Sequence, residues 1–506
     1  MGHLRVPLFH LSTMTKKLKF NKNLVVAHLH KMPQDFTLSD IIQFVEEKEI
    51  EMINFMYPAE DGRLKTLNFV INDLAYLETI LTQGERVDGS SLFPSFVEPG
   101  NSDLYVVPRY RTAFVDPFSE IPTLCFLCSY FDKDGKPWDA SPEYTLKKAV
   151  ETFHSATGLD FYAMGELEFY VVAPENPLFP ATDQKGYHES SPFAKFNEFR
   201  TACMLTIAHI GGQIKYGHSE VGNFTLDNKV YEQNEIEFLP VEALSAADQL
   251  VLAKWAIRNC AFQRGLEVTF APKITTGKAG SGLHIHMKLM QDGHTVTVNK
   301  DRTLSDYTKK MIGGLMTLAP AITAFGNTNP TSYFRLVPHQ EAPTSVCWGD
   351  RNRSVLVRVP LGWTADVDMC KAVNGQSSSG KGSDTIEKQT FEIRSADASA
   401  DVYLLLAALT VAARVGLTNP DSLKIANDTY VDIDIHRNED STKVKSLKTL
   451  PVSCAQSAEI LEKERSIFEA DDVFSPRLID GIIKRLKAAK SNGKIEKLVA
   501  EFYHCG

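Results

Sequence analysis

No long basic run occurs in this sequence, and its 63 Asp and Glu residues outnumber its 54 Lys and Arg residues. The resulting formal net charge is −9. Proteins that bind a nucleic-acid backbone need clustered Lys and Arg side chains to neutralise the phosphates. The charge balance therefore argues against a nucleic-acid partner, and we expect none.

Long hydrophobic runs are also missing. The most apolar stretch, residues 402–417, contains Arg414 and is shorter than the roughly 20 residues that cross a bilayer as a helix. This stretch predicts a buried helix instead. The first residues lack the continuous apolar segment of a signal peptide. We expect no membrane association and a cytoplasmic location.

The eight cysteines form neither a disulfide pattern nor a zinc pattern. Only Cys125 and Cys128 have a metal-like spacing, and no second Cys or His pair lies near them in the sequence. Buried thiols in a strand are the favoured interpretation, and scattered cysteines fit a reducing compartment best. A Gly-x-x-x-x-Gly-Lys-Ser/Thr motif is absent too, which excludes a P-loop nucleotide site.

The length of 506 residues favours two domains. Residues 1–35 are interpreted as an N-terminal extension. Residues 36–135 predict a small α+β domain, because the capping sequence Thr37-Leu-Ser-Asp40 precedes a helical apolar pattern and short strand candidates follow at 52–57, 67–71, 105–107 and 123–130. Strand and helix candidates alternate over residues 141–506, which predict a larger domain. The polar segment 374–383 predicts a surface loop.

Each of three apolar stretches contains two polar residues separated by one position: Glu166 and Glu168, His284 and His286, Glu392 and Arg394. On a β-strand, residues i and i+2 point to the same face. Three strands would therefore project carboxylates, imidazoles and a guanidinium toward one side. Such groups are rarely buried unless they are paired or bind a metal.

Further acids and arginines occur between and after these pairs: Glu220, Glu235, Glu237, Arg335, Glu341, Arg351, Arg353 and Arg358. Many carboxylates suit Mg²⁺ or Mn²⁺, and arginines suit phosphate. Taken singly, a Glu-x-Glu pair is more often a solvated face, and neighbouring arginines can form a salt-bridge network. Their joint occurrence favours a metal- and nucleotide-dependent enzyme of phosphoryl transfer.

In their order along the chain, these motifs resemble those of type I glutamine synthetase over residues 35–505. The matching stretches are Val87-Asp-Gly-Ser-Ser91, Gly165-Glu-Leu-Glu-Phe169, His218-Ser-Glu-Val221, Gln233-Asn-Glu235, Gly280-Ser-Gly-Leu-His284, Arg335-Leu-Val-Pro338, Arg351-Asn-Arg-Ser354, Glu392-Ile-Arg394 and Ala396-Asp-Ala-Ser-Ala400. The resemblance implies an α+β fold with a β-grasp-like N-terminal domain. It also implies a catalytic domain whose curved antiparallel sheet is surrounded by helices.

The resemblance implies two or more Mg²⁺ or Mn²⁺ ions per site, with ATP as co-substrate. The first ion is expected at Glu168, Glu220 and Glu235, and the second at Glu166, His284 and Glu392. Nucleotide contacts are expected from His286, Lys288, Arg353 and Arg358, and glutamate contacts from Ser91, Gly280, Arg335, Glu341, Arg353 and Arg394. Catalytic roles are expected for Asp88, Glu341 and Arg353.

By the same resemblance, Asp88 and Ser91 reach into the site of a neighbouring subunit, where Asp88 takes a proton from ammonium. Glu341 lies on a flap that closes the site. The implied partners are glutamate, ammonium and ATP, and the implied assembly is a dodecamer of two stacked hexameric rings with sites between subunits. The implied reaction forms glutamine through γ-glutamyl phosphate.

Several positions depart from the family pattern. Ala279 stands where an asparagine is usual beside the glutamate-binding glycine, and Lys288 replaces a usual serine near the nucleotide. The spacing between Glu220 and Glu235 and the segment 362–390 are both longer than usual. Two alternatives to glutamine synthesis therefore stay open. One is a γ-glutamyl ligase for a larger amine, such as a polyamine, and the other is a catalytically silent structural or regulatory ring protein.

Overall fold

The computed structural model describes residues 18–97, 100, 102–338, 340, 342–362, 368–375, 385–489 and 493–506. Within them lie one six-stranded and one ten-stranded sheet, both accompanied by helices, so the predicted α+β class is confirmed. Most of the predicted loop at 374–383 and residues 1–17 lie outside the described residues. The rest of the predicted extension contains the helix Leu24–Leu29, in which Val25 and Val26 are fully buried.

The strands are β1 (Met52–Pro58), β2 (Leu64–Val70), β3 (Glu85–Asp88), β4 (Asp103–Pro108), β5 (Phe114–Val115), β6 (Thr123–Phe131), β7 (Asp160–Pro174), β8 (Ile214–Leu226), β9 (Lys229–Phe238), β10 (Val241–Glu242), β11 (Glu267–Thr269), β12 (Leu283–Gln291), β13 (His294–Thr295), β14 (Trp348–Asp350), β15 (Val357–Val359) and β16 (Phe391–Ile393). The α-helices are Leu24–Leu29, Leu38–Glu47, Leu74–Gln83, Gly89–Leu92, Pro142–Thr157, Asn197–His209, Ala243–Gln263, Asp306–Gly326, Pro330–Arg335, Met369–Asn374, Val402–Thr418, Ser422–Thr429, Thr442–Lys445, Cys454–Glu469, Pro476–Ala488 and Ile495–Phe502.

The first sheet has the strand order β2-β1-β6-β4-β3, and β5 pairs with β6. Its central strands β1 and β6 are parallel and almost wholly buried, which fits their largely apolar sequences. Cys125 and Cys128 are buried free thiols in β6, as predicted. The helix Leu38–Glu47 begins at the predicted capping box, in which Thr37 Oγ1 accepts from Asp40 N and Asp40 Oδ2 accepts from Thr37 N.

The second sheet has the strand order β14-β15-β16-β12-β7-β9-β8, with β10 and β11 against β7 and β13 against β12. All of its pairs are antiparallel except β14 with β15. We expected a wholly antiparallel sheet, and the structure differs from this at one edge, where β14 and β15 are parallel. The long strands β7, β9 and β12 lie in its middle; β7 and β12 carry two of the three polar pairs singled out in the sequence, and Glu392 of the third pair lies on β16.

Two glycines allow the helices Asp306–Gly326 and Val402–Thr418 to approach closely. A Cβ atom on Gly314 would lie 2.1 Å from the carbonyl oxygen of Ala412, and one on Gly416 would lie 2.3 Å from that of Lys310. The helix Val402–Thr418 is buried along almost its whole length, as predicted. Among the described residues no single helix is long and apolar enough to cross a membrane; Val402–Thr418 and Ser422–Thr429 meet that criterion only together and are bent by 111°.

A buried ion pair joins the two sheet regions. Arg109, just after β4, donates two hydrogen bonds to Asp248 of the helix Ala243–Gln263, at 2.9 and 2.8 Å. Tyr403 Oη donates to the same carboxylate at 2.7 Å. Burial disfavours the charged guanidinium, but the neighbouring Asp248 carboxylate outweighs it and raises the pKa of Arg109. Each charge thus stabilises the other in an environment where neither would be tolerated alone.

We expect Arg109→Leu to destabilise the protein by about 3–5 kcal/mol, because it leaves the Asp248 carboxylate buried without its counter-charge. The urea midpoint, measured by circular dichroism at fixed protein concentration, should fall accordingly. Arg477→Leu is the matched control, since Arg477 and Asp139 lie 3.9 Å apart and are both more than half exposed. Equal midpoints for the two variants would contradict the stabilising role of the Arg109–Asp248 pair.

Candidate active site

One face of the second sheet carries a ladder of charged side chains that face one another across strands. His284 on β12 lies opposite Glu166 on β7. Two residues further along β7, Glu168 lies opposite Glu235 on β9. At the other end of the ladder, Glu392 on β16 lies opposite His286. The i, i+2 spacing places the two members of each pair on one face, and antiparallel register brings the pairs together.

The first group of potential ligands consists of Glu166, His284 and Glu392, whose ligand atoms lie within 4.8 Å of one another. His284 Nδ1 is 2.9 Å from Glu166 Oε2. His286 Nε2 lies between two carboxylates, 2.8 Å from Glu166 Oε1 and 2.6 Å from Glu392 Oε2. This group matches the set that the sequence assigned to the second ion.

The environment of Glu392 fits a divalent cation. The side chain is fully buried, and Oε1 accepts from Arg358 and Arg394 at 2.7 and 2.9 Å. Oε2 lies near His286, but no donor among the described residues points at it with hydrogen-bond geometry. A buried carboxylate oxygen without a hydrogen bond is costly, and a cation bound by oxygen and imidazole ligands would remove that cost.

The second group consists of Glu168, Glu235 and His284, again with ligand atoms within 4.8 Å. His284 is therefore common to both groups. Glu168 Oε2 accepts from Gly282 N at 2.6 Å and from Gln233 Nε2 at 3.1 Å, which fixes its orientation. Glu220 stands outside this group and lies on the wall of the neighbouring cavity.

Burial and mutual repulsion shift the protonation of these acids. Burial raises the pKa of Glu235 well above its usual value, and the nearby carboxylates of Glu166 and Glu168 raise it further. Burial disfavours the charged imidazole of His286, but Glu166 and Glu392 outweigh it and raise its pKa to about 10. Without a cation, protons on Glu235 and His286 therefore reduce the repulsion between the buried carboxylates. A divalent cation would compete with these protons.

Glu237 is a site residue that the sequence analysis noted but gave no role. It lies opposite Glu166 in the register, it is buried, and it forms a third ligand group with His218 and Glu235. Lys215 Nζ lies 2.7 Å from Glu237 Oε2. The signal was present, because Glu235 and Glu237 have the same i, i+2 spacing as the three pairs.

A cavity of about 700 Å³ adjoins the ladder. It is lined by Glu168, Gln184, Glu220, Val221, Gln233, Lys273, Gly277, Ala279, Gly280, His284, Arg335, Gln340, Ala342, Arg394, Asp434, His436 and Arg437. Arg335 is buried and donates to the carbonyl oxygens of Ser395 and Arg394 at 2.8 and 3.1 Å. Arginine and carboxylate side chains therefore share one wall, which suits a ligand that carries both charges.

Three of the four predicted nucleotide residues, His286, Lys288 and Arg358, lie at the other end of the ladder. Lys288 shares a face with His284 and His286, and its Nζ donates to Glu387 O at 2.6 Å and to Glu387 Oε2 at 3.0 Å. Thr390 Oγ1 is 2.7 Å from His286 Nδ1. The segment 385–390 forms the end of the longer-than-usual stretch 362–390. It is thus bound to β12 at His286 and Lys288, two successive residues on one face of that strand.

Among the remaining predicted residues that the structure describes, Arg353 and Asp88 do not belong to the ladder within one chain. Arg353 is exposed in the turn between β14 and β15. Asp88 is exposed, and its carboxylate accepts from Ser90 Oγ and Ser91 Oγ at 2.7 and 2.6 Å. Hydrogen bonds from Ser91 and Ser90 hold the pKa of Asp88 well below its usual value. Glu341 lies outside the described residues.

Comparison with known proteins gives matches along most of the chain. The glutamine synthetase β-grasp domain profile matches residues 49–133, and the glutamine synthetase catalytic domain profile matches residues 139–497. A glutamine synthetase of Pyrococcus furiosus is 32% identical over 425 residues, which cover 81% of this chain and 87% of that protein. A glutamine synthetase of Thermotoga maritima is 29% identical over 443 residues, which cover 86% and 92%.

Among solved structures, a GmaS–ADP complex superposes with a TM-score of 0.72 at 18% identity. The superposition covers 92% of this chain and 99% of that one. At this identity the likeness shows the fold, and it confirms the β-grasp and curled-sheet architecture.

We expect Mn²⁺ to bind at the ladder and Glu166→Gln to weaken its affinity at least about tenfold, because the variant loses a charged ligand. Isothermal titration calorimetry of the purified protein measures this. Affinity should also rise with pH, since the proton on a group with a raised pKa, such as Glu235, is displaced more easily at higher pH. Glu462→Gln, an exposed carboxylate paired with Lys487, is the control. Wild-type affinity in Glu166→Gln would contradict the assignment.

Proposed function

The chain belongs to the glutamine synthetase family, and on that basis we propose that it ligates ammonium to the γ-carboxylate of glutamate with ATP, forming glutamine, ADP and phosphate. The observation that supports this best is the site itself. Two ligand groups that share His284 lie beside a cavity whose wall carries Arg335 and Arg394. A charged amino acid and a phosphoryl group both need such surroundings.

The proposed reaction begins with activation of a poor electrophile. The γ-carboxylate of glutamate attacks the γ-phosphorus of ATP, and γ-glutamyl phosphate forms as ADP leaves. Mg²⁺ or Mn²⁺, bound at Glu166, His284 and Glu392 and at Glu168, Glu220 and Glu235, would supply charge stabilisation for the phosphate. Arg335, Arg394 and the backbone at Gly280 would hold glutamate, and His286, Lys288, Arg353 and Arg358 would contact the nucleotide.

The second half-reaction needs a neutral nucleophile. Ammonium would lose a proton to Asp88, and ammonia would then attack the acyl phosphate and release phosphate. The Glu341 segment would exclude water, which otherwise hydrolyses the intermediate. Arg353 would stabilise the charge that develops on the phosphate.

The position of Asp88 favours a site shared between subunits. Within one chain it is exposed on the first sheet, where the hydroxyl groups of Ser90 and Ser91 donate to its carboxylate. A carboxylate with so low a pKa is a weak proton acceptor, so its proposed role requires a different environment. We infer that a neighbouring subunit's site supplies it, as in a dodecamer of two stacked hexameric rings.

A larger amine is the second candidate acceptor. Ala279 presents only a methyl group to a cavity of about 700 Å³, which can accommodate more than ammonium. A silent ring protein fits less well, because buried carboxylates are costly and an unused site has no need to keep so many of them.

Phosphate release with ATP, Mg²⁺ and glutamate should depend strongly on ammonium and yield glutamine. The purified protein is assayed with ammonium and with a panel of alkylamines and polyamines, and the product is identified by mass spectrometry. Phosphate release with a larger amine but not with ammonium would show the same type of reaction with that amine as the acceptor. Absence of release with every acceptor, in a folded oligomer, would refute the ligase assignment.

We expect Asp88→Asn to lower the rate of glutamine formation by about 10²-fold or more, because proton transfer by a positioned group contributes at least that much. Asp103→Asn is the matched control, since Asp103 lies opposite Asp88 in the register and is also exposed. A verified monomer should be inactive even with wild-type sequence. Full activity in a monomer would show that Asp88 does not act across an interface.

A further inference from the structure

The segment around Gln184 is fixed against β8 beside the active site. The backbone N–H groups of Gln184, Gly186 and His188 donate to the carbonyl oxygens of Asn223, Val221 and Ser219, at 2.9, 3.2 and 2.9 Å. Alternate residues of the segment thus pair with alternate residues of β8, as in an antiparallel ladder. A Cβ atom on Gly186 would lie 2.4 Å from Glu220 O, so only glycine permits this approach.

Gln184 adopts a backbone conformation that its residue type rarely takes. Its φ of 55° is in the left-handed region, which costs free energy for a residue other than glycine. Such conformations persist where the surrounding contacts determine them, and they are concentrated at ligand sites. Here the ladder to β8 imposes the conformation, and the side chain is directed toward Ala279.

Two hydrogen bonds define the orientation of the Gln184 amide. Oε1 accepts from the backbone N–H of Ala279 at 2.7 Å, and Nε2 donates to Asn223 O at 3.3 Å. Because a backbone N–H can only donate, the oxygen of the amide must face Ala279. An amide nitrogen carries two hydrogens, and the second has no acceptor among the described residues.

The amide belongs to the wall of the same cavity that the cationic groups line. Gln184 lines the cavity together with Ala279, Gly280 and Arg335. A carboxylate bound in this cavity could accept both from this neutral N–H donor and from the buried arginine on the cavity wall. Ala279 itself offers no side-chain donor, although this is the position where the family pattern places an amide.

We propose that Gln184 binds a carboxylate of the amino-acid substrate and supplies the side-chain amide that position 279 lacks. The inference rests on the proposed function in that glutamate is taken as the substrate. It makes Gln184 a specificity-determining residue contributed by a segment far from the binding motifs in sequence. The second N–H of the Gln184 amide would donate to the substrate carboxylate, while Oε1 accepts from the backbone N–H of Ala279.

The test measures binding of L-glutamate by calorimetry in the presence of Mg²⁺, for the full chain and its variants. Gln184→Ala should raise the Kd for glutamate about 10- to 100-fold, the range for one hydrogen bond to a charged group. Gln184→Glu keeps an acceptor for the Ala279 N–H but replaces the donor with a negative charge, so it should weaken binding at least as much. The double variant Gln184→Ala with Ala279→Asn should regain at least half of the loss on a logarithmic scale.

Two measurements separate substrate recognition from folding. Gln456 Oε1 also accepts a backbone N–H, from Val452 at 2.8 Å, so Gln456→Ala removes a comparable structural bond away from the cavity and should leave glutamate binding unchanged. The KM for ATP should stay within about twofold of wild type in the Gln184 variants. An equal rise in the KM for ATP, or an unchanged glutamate Kd in Gln184→Glu, would overturn the proposal.

The experiment also distinguishes this inference from the proposed reaction. If the wild type forms glutamine and the Gln184 variants bind glutamate normally, only the role of Gln184 is refuted. If the variants lose glutamate affinity but the wild type forms no glutamine, the role of Gln184 is supported and the reaction is refuted. A wild type that does not bind glutamate would overturn both.

Discussion

The arrangement of the site depends on one fully buried carboxylate. Glu392 has no exposed surface, and three cationic groups meet it: His286, Arg358 and Arg394. They come from β12, from β15 and from the residue after β16, so the burial of a single charge specifies how these strands align. An isolated carboxylate in that environment would be strongly unfavourable, and it is tolerated because the buried His286 and Arg394 and the half-buried Arg358 supply opposite charge. The same charges that align the strands are the ones available for chemistry.

The balance of charge differs between the two ends of the ladder. Carboxylates outnumber cations around Glu168 and Glu235, where burial raises the pKa of Glu235. Around Glu392, arginine and imidazole side chains surround the acid, and its pKa lies well below the usual value despite burial. The first end thus favours a divalent cation, and at the second end the arginines beside the Glu166, His284 and Glu392 ligand group additionally favour a phosphate.

The sequence predicted which side chains of a strand share one face of the sheet. It did not predict which residues of the adjacent strands lie opposite them. An i, i+2 spacing in an apolar run determines that Glu166 and Glu168 share a side, because strand geometry is local. The register that places Glu237 opposite Glu166 depends on contacts between distant segments, which spacing within one strand does not encode. The same reason explains Gln184: position 279 lacked its amide in the sequence, but the residue that contacts its backbone lies 95 positions away. The helices and central strands were predictable from apolar periodicity, while the short strands β3 and β5 carried too few residues to give a pattern.

The sharing of His284 between both ligand groups has a thermodynamic consequence. Its Nδ1 lies 2.9 Å from Glu166 and its Nε2 lies 3.8 Å from Glu168, so the two nitrogens face different groups. A neutral imidazole has only one lone pair available for a metal, because the other nitrogen carries the proton. Whichever cation takes that lone pair leaves the other group to carboxylates alone. If each ligand group bound a cation through His284, the two cations would compete for this lone pair, and by reciprocity each would lower the affinity for the other by the same factor.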